Sequence, residues 1–466
     1  MSLKIKVLSL VLIAVMVLCP MLSACDSLRV ADSDKLTFYC VGNEKDDDIS
    51  EELYQFLKKY NKYCAVNDVF EDSVEFIYFE TYNEMNSALA TELMAGGGPD
   101  IMSLTQTYPF EKLVRNNALA DINEIVSTYN ADVDFSEFNE TVMNSGVIDG
   151  KRCILPLYYR LNALHTTEDK LSKYGYTADD FTFESVLEKY KNNEINTYLV
   201  NPYSAEAFYL SFIRQYMDFY EGTAEFESEE FRTLAEDFKY AILNGGTYAE
   251  LYTYEPEVSE NDFEPADDSA YLFSANEKNY YGGSLATFAE DYLIALETGR
   301  KPPVLVPDSN RNGEITASIE VGFAINANCK KMDKAAKLIE YLLSDSSQGY
   351  FGGGRDDSNS QGLSIPVKNS VFDNAVKEAI SYNTHRWGHK FDPENVELKN
   401  KALNDQYLPM LEKISSCNLY GYNSQFKSHL YQNVVGEVIT DYLDGKITVN
   451  KLSQRLTSAV TIYMNE

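Results

Sequence analysis

Asp308, Asn310, Asn312 and Gly313 stand at the spacing of the opening of a calcium-binding loop, with Ile315 at the usual apolar position. The position that needs a bidentate acid holds Ile319, and Glu320 arrives one residue late; Pro302, Pro303 and Pro307 prevent a normal entering helix. A tight turn between strands accounts for the segment better. His385 and His389 are four apart, a helical spacing for two metal ligands, but Gly388 lies between them and no H-x-x-x-E pattern is near. The chain contains no G-x-x-x-x-G-K-[ST], no G-x-S-x-G and no H-E-x-x-H. The expectation is therefore no catalytic residue, no metal and no cofactor.

The glycines of "MAGGGPDIMSL", Gly96 to Gly98, pose the phosphate question directly. They follow a helical run containing Met85, Leu89 and Leu93, and Pro99 and an apolar extended run, Ile101 to Leu104, come after them. A phosphate cradle needs the reverse order, strand then glycines then the amino end of a helix. Helix, glycine stop and strand is the better reading, with a positive φ at the helix end.

The elements around that turn alternate. Leu36 to Val41 reads as a strand, Ile49 to Tyr60 as a helix, and Val74 to Phe79 as a second strand. Alternation of this kind predicts a parallel sheet covered by helices, with ligands held in loops at the carboxyl ends of strands. Asn43, Glu44, Gln106 and Tyr108 fall in such loops; each could equally be a solvated loop residue.

Bulk properties narrow the partner. A chain of 466 residues exceeds one hydrophobic core, so two lobes are expected. A formal charge of -32 repels nucleic acid and anionic lipid headgroups at long range, so neither is expected as a partner, and a neutral or cationic small ligand fits better. Lys4 and Lys6 precede an apolar run, Val7 to Leu18, too short to span a bilayer, and Leu22-Ser23-Ala24-Cys25 follows. The stretch LSAC resembles the lipobox of bacterial lipoproteins. That resemblance implies a signal peptide over 1–24, Cys25 carrying diacylglycerol and an amide-linked acyl chain such as palmitate, and a tether over 25–34. With Cys19 in the leader, the remaining cysteines, Cys40, Cys64, Cys153, Cys329 and Cys417, are odd in number and lack C-x-x-C spacing, which indicates neither a disulfide framework nor a zinc site. A single Cys40–Cys64 bond is left open.

Beyond its leader, the chain resembles family 1 extracellular solute-binding proteins, the lipoprotein receptors of ATP-driven (ABC) importers that typically take up sugars. "ATELMAGGGPDIMSL" resembles the family's helix, small-Gly turn and Pro-Asp-Ile strand. "GKRCILPLYYRLNALHTTEDKL" resembles its first crossing between lobes, and "VGFAINANCKKMDKAAKLIEYLLSDSSQGYF" its return crossing. "LSIPVKNSVF" and "YLDGKITVNKLSQRLTSAVTIYMNE" resemble its Pro-Val segment and terminal helix pair.

What the resemblance implies is an α/β, two-lobe periplasmic-binding-protein-like (type II) fold with an interlobe cleft. Lobe 1 would comprise 35–150 and 320–366, and lobe 2 would comprise 151–319 and 367–466. The protein would be a monomer, anchored at the extracellular face of the bacterial membrane, binding a small solute and docking on a membrane permease.

A sugar presents flat C–H faces and a rim of hydroxyls, which calls for aromatic plates and planar polar groups. Tyr108, Tyr158, Tyr159, Tyr203 and Tyr281 lie in loops or crossings that the resemblance puts near the cleft, as does Trp387, the only tryptophan. Arg160, on the first crossing, could clasp a carboxylate of a uronic acid or peptide end, or close an ion pair between lobes. A polyamine or peptide ligand on the same fold, and a secreted glycoside hydrolase with paired carboxylates, are the alternatives.

Overall fold

The computed structural model describes residues 34–43, 52–104, 109–178, 180–195, 213–243, 285–307, 313–353, 365–384, 388–420 and 425–465. Cys25, Glu44, Gln106, Tyr108, Tyr203, Tyr281, Trp387, His385, Asp308, Asn310 and Asn312 lie outside the described residues. None of the described helices is long and apolar enough to cross a membrane.

A seven-stranded mixed sheet organises the fold. In chain order its strands are β1 (Leu36–Val41), β2 (Val74–Phe79), β3 (Ile101–Ser103), β4 (Leu155–Leu161), β5 (Ile315–Ile325), β6 (Ile365–Pro366) and β7 (Ile414–Asn418). Their spatial order is β6-β4-β5-β3-β1-β2, with β7 beside the start of β5. β1 is parallel to β2 and β3, as the alternation predicts, with Leu36 opposite Val74 and Phe38 opposite Ile101. β5 turns against this direction and pairs antiparallel with both β3 and β4. Helix α1 (Glu52–Val66) connects β1 to β2, and α2 (Tyr82–Met94) connects β2 to β3. The inner strands are buried along nearly their whole length, β4 included, because helices cover both faces.

The glycine turn performs the structural job expected of it. Gly96 and Gly98 have φ of +77° and +92°, a region in which a side chain would be strained. The N–H of Gly97 reaches the Glu92 carbonyl at 2.8 Å and closes the end of α2. Asn326, just past β5, donates through Nδ2 to the carbonyls of Gly97 and Pro99 at 2.9 and 3.0 Å. Asp100, buried, accepts from Thr37 N at 2.9 Å, Thr37 Oγ1 at 3.0 Å and Lys331 Nζ at 2.8 Å. The Pro-Asp pair thus stitches the starts of β1 and β3 to the segment after β5.

Two large buried clusters share the described residues. One gathers β1, α1, β4 and β5 with Leu285, Phe288, Leu403 and Tyr407. The other gathers the C-terminal helices α4 (Gly436–Leu443) and α5 (Val449–Asn465) with Tyr174, Tyr190, Phe231 and Phe238, and it takes in Leu89, Met102, Phe110 and Leu113. Apolar contact therefore runs across the sequence-based lobe boundaries at 151, 320 and 367. Helix α3 (Phe110–Arg115), inside the expected first lobe, packs with the second cluster. All five described cysteines, Cys40 and Cys64 among them, are free.

Candidate functional site: a charged floor on the crossing strands

β4 and β5 are the two long strands by which the chain crosses the sheet. Beside the end of β3 they are in register through Phe323–Ser103 and Phe323–Leu155. Beyond that edge β4 continues to Tyr159, opposite Ile319. Arg160 and Glu320 lie there, the only charges in their strands. Their side chains form an ion pair, Arg160 Nη2 to Glu320 Oε1, at 19% and 15% exposure.

Helix α1 adds a second carboxylate. Its amino end follows the loop after β1, and Glu52 precedes Phe56 by one helical turn, so the two share a face. Phe56 packs on Tyr158 with ring centroids 5.6 Å apart, and Glu52 comes into the field of Glu320 and Arg160. Burial pushes the Glu52 carboxyl up to about 7; Glu320 raises it further, while its own backbone hydrogen bond and Arg160 lower it. Tyr407, fully buried, faces the same charges, and burial raises its hydroxyl above the ordinary tyrosine range.

Further along the crossing strands the polar row continues. Asn162 Nδ2 donates to Thr316 Oγ1 at 2.9 Å, and Ser318 Oγ donates to Asn162 Oδ1 at 3.1 Å. These groups are buried and satisfy one another, so they hold the two crossings in register without an apolar core at that point.

Four residues expected near the ligand are described, and one of them, Tyr159, is corrected to a core side chain, 3% exposed, whose hydroxyl accepts from Asn139 Nδ2 at 3.4 Å. Asn43 is exposed just past the end of β1, in the loop that topology assigns to a ligand. Tyr158 is corrected from ligand plate to core side chain: it has 0% exposure, its ring packs on Phe56, and its hydroxyl donates to the Gln348 carbonyl. The physical reason is that α1 covers β4 at this position. Arg160 is an ion-pair partner whose acid lies on the adjacent strand of the same sheet. Glu52 and Glu320 were not read from the sequence as site residues; the available signal was a lone acid and a lone base in two apolar strands.

Helix α3, which follows residues 105–108, is pinned to the second cluster. Phe110 N donates to Tyr420 Oη at 2.7 Å, Tyr420 Oη donates to Glu111 Oε2 at 2.6 Å, and Arg214 Nη2 donates to Glu111 Oε1 at 3.0 Å. Arg115 Nη2 reaches the Met464 carbonyl at 2.6 Å. Elsewhere, a surface groove of about 580 Å³ between α4 and α5 is lined by Glu437, Lys451, Arg455 and Ile462, none of them a member of this floor. Among the described residues no cluster of His, Cys, Asp or Glu has the arrangement of a metal site.

A family model described as bacterial extracellular solute-binding protein matches residues 47–349. Among solved structures, a family 1 extracellular solute-binding protein from Alicyclobacillus acidocaldarius is similar at 15% identity and a TM-score of 0.53, over 93% of this chain and 98% of that one. A periplasmic solute-binding protein from Pectobacterium atrosepticum is similar at 14% identity and a TM-score of 0.54, over 92% of this chain and 98% of that one. An ABC substrate-binding protein from Listeria monocytogenes, in complex with cycloalternan, is similar at 14% identity and a TM-score of 0.51, over 93% of this chain and 100% of that one. These identities carry the fold. No curated protein matches the chain.

Proposed function

This chain belongs to the bacterial extracellular solute-binding proteins, and we propose that it is the membrane-tethered receptor of an ABC importer that captures a carbohydrate between two lobes and delivers it to a permease. Cys25 is the lipidated residue, the receptor acts as a monomer without catalysis, and the lobes follow the boundaries at 151, 320 and 367. Hinge motion about the crossing strands closes the lobes, driven by the solute's higher affinity for the closed form.

The observation that carries this reading is the floor formed by Glu52, Arg160 and Glu320 on and beside the two crossing strands. A floor with two carboxylates and one guanidinium accepts more hydrogen bonds than it donates, which suits the hydroxyl rim of a neutral sugar. The Listeria protein's cycloalternan complex supports the same class. The same excess of acid favours a polyamine as the second reading and disfavours a uronate, since Arg160 already pairs with Glu320.

The test is a thermal-shift screen of protein from Asp26 onward against mono-, di- and oligosaccharides, uronates, polyamines and short peptides. Neutral saccharides should raise Tm by mass action and the other classes should not. Stabilisation by a polyamine alone would transfer the proposal to that class, and silence across the panel would remove the receptor reading.

A further inference from the structure

Tyr63, Val66 and Phe70 fall within eight residues of one another, and they are 47%, 75% and 55% exposed. All three lie at or just beyond the carboxyl end of α1. The Tyr63 ring packs on Tyr341 at 4.9 Å, in the helix Met332–Leu342. One turn earlier on that helix, Lys337 Nζ bonds Asp72 Oδ2 at 2.7 Å, two residues beyond Phe70. Large apolar side chains left open to solvent within one short stretch point to a contact surface.

The position of Asp34, the first described residue, identifies what covers it. Lys334 Nζ donates to the carbonyl of Asp34 at 2.7 Å and to that of Glu71 at 2.6 Å. The first described residue is thereby held beside Phe70. Leu36 opposite Val74 puts the patch at the starting end of the parallel strands. Met94, 83% exposed, ends α2, the helix that returns the chain to that same end. Asn43 and Glu52 lie at the opposite end.

We infer that the Tyr63–Val66–Phe70 surface rests on the outer leaflet of the membrane that holds the lipid on Cys25. This inference depends on the lipid-anchored reading given above. Residues 26–33 can span at most about 30 Å between Cys25 and Asp34, so an anchored chain keeps this patch within about that distance of the bilayer. Tethering turns the contact into an intramolecular one at high effective concentration, and three amphipathic or apolar side chains then suffice to orient the protein. Tyr and Phe suit the headgroup boundary, where one end of a ring is dry and the other wet. The resting receptor would lie with its strand-end cleft turned toward the medium, where solute arrives.

The test uses the full lipidated chain in phosphatidylcholine vesicles that carry nitroxide headgroups. A fluorophore is placed at Val66→Cys or, as control, at Leu398→Cys, a residue 42% exposed in the helix Pro393–Ala402. Quenching at 66 is expected to exceed that at 398 at least twofold, and hydrogen exchange over 63–72 is expected to be slower on vesicles than in lipid-free protein from Asp26. Equal quenching with unchanged exchange, on protein that floats with the vesicles, overturns the contact while leaving the anchor intact. Protein that fails to float overturns the anchor reading and the contact together. A lipid-free dimer in sedimentation that protects 63–72 assigns the patch to a second copy and also overturns it.

Discussion

Tyr420 donates its hydroxyl to Glu111 at 2.6 Å and accepts the N–H of Phe110 at 2.7 Å, with both side chains buried. One oxygen therefore satisfies a buried carboxylate and an unpaired donor at the amino end of α3. Burial and the facing carboxylate together keep that hydroxyl protonated well past the usual tyrosine range. The helix after residues 105–108 is held to the second buried cluster by this contact, by Arg214 on the other Glu111 oxygen, by Arg115 on the Met464 carbonyl and by the packing of Phe110 and Leu113.

Tyr420→Phe removes both hydrogen bonds and strands a carboxylate oxygen in a dry site. The expected loss is about 2–3 kcal/mol of unfolding free energy, in the range for a buried bond to a charged group. Urea denaturation measures it, and a midpoint equal to wild type would show that the contact does not hold α3. Glu111→Gln should also destabilise, because Tyr420 and Arg214 bond different carboxylate oxygens and the amide keeps only one of them.

The Arg160–Glu320 pair gives an asymmetric pair of expectations. Glu320→Leu alone removes the acid that the mostly buried Arg160 guanidinium pairs with and should destabilise by about 2–4 kcal/mol. The double variant Arg160→Met/Glu320→Leu should recover most of that, to within about 1–2 kcal/mol of wild type, since the desolvation of both charges disappears with them. Additive losses in the double variant would mean that the two side chains act independently and that the ion pair is not their main contribution.

The frame of the protein was legible because it is written locally. β1 and β2 occupy the residues that alternation and β-branched content indicate, and Gly96 to Gly98 end a helix where a Cβ-free residue can take positive φ. The floor was not legible, because its members meet only through tertiary packing. Glu52 follows a run of acids from Glu44 onward and nothing in that run distinguishes it. Its environment is set by β4 and β5, far along the chain. Tyr158 was misassigned for the same reason: a tyrosine on a crossing strand reads identically whether α1 covers it or a cleft exposes it. Arg160 and Glu320 did carry a signal, each a lone charge in an apolar strand, which burial makes costly unless the two pair.

Glu52 makes stability fall with rising pH in one window. Burial pushes its folded carboxyl up to about 7 from an ordinary value of 4.5. Between these values the folded protein keeps a proton that the unfolded chain has lost, so stability declines as pH climbs through the window and levels off above 7. Glu52→Gln abolishes that decline. Relative to wild type it should gain about 1–2 kcal/mol on going from pH 4.5 to pH 8, after discounting for partial exposure. Denaturant midpoints of both proteins at several pH values measure the difference; parallel curves would mean that Glu52 is solvated.

Gly97 and Gly98 stand side by side in the turn that closes α2, and the backbone treats them differently. Gly98 has φ of +92°, and a Cβ there would lie 3.3 Å from Leu93 Cδ2 and 3.5 Å from Asn326 Nδ2. Gly97 is not among the positive-φ residues, and its Cβ would meet only the Glu92 carbonyl oxygen at 3.6 Å. Gly98→Ala should therefore cost about 1–3 kcal/mol, from backbone strain together with pressure on the Asn326 bonds to Gly97 and Pro99. Gly97→Ala should be neutral or stabilising by up to about 1 kcal/mol, because alanine restricts the unfolded chain without straining the folded one. Thermal unfolding of the two variants separates these outcomes. If the glycines instead served a bound anion through close backbone approach, Gly97→Ala would leave Tm alone but abolish stabilisation by added phosphate or nucleotide, and neither is expected to stabilise the wild-type protein at all.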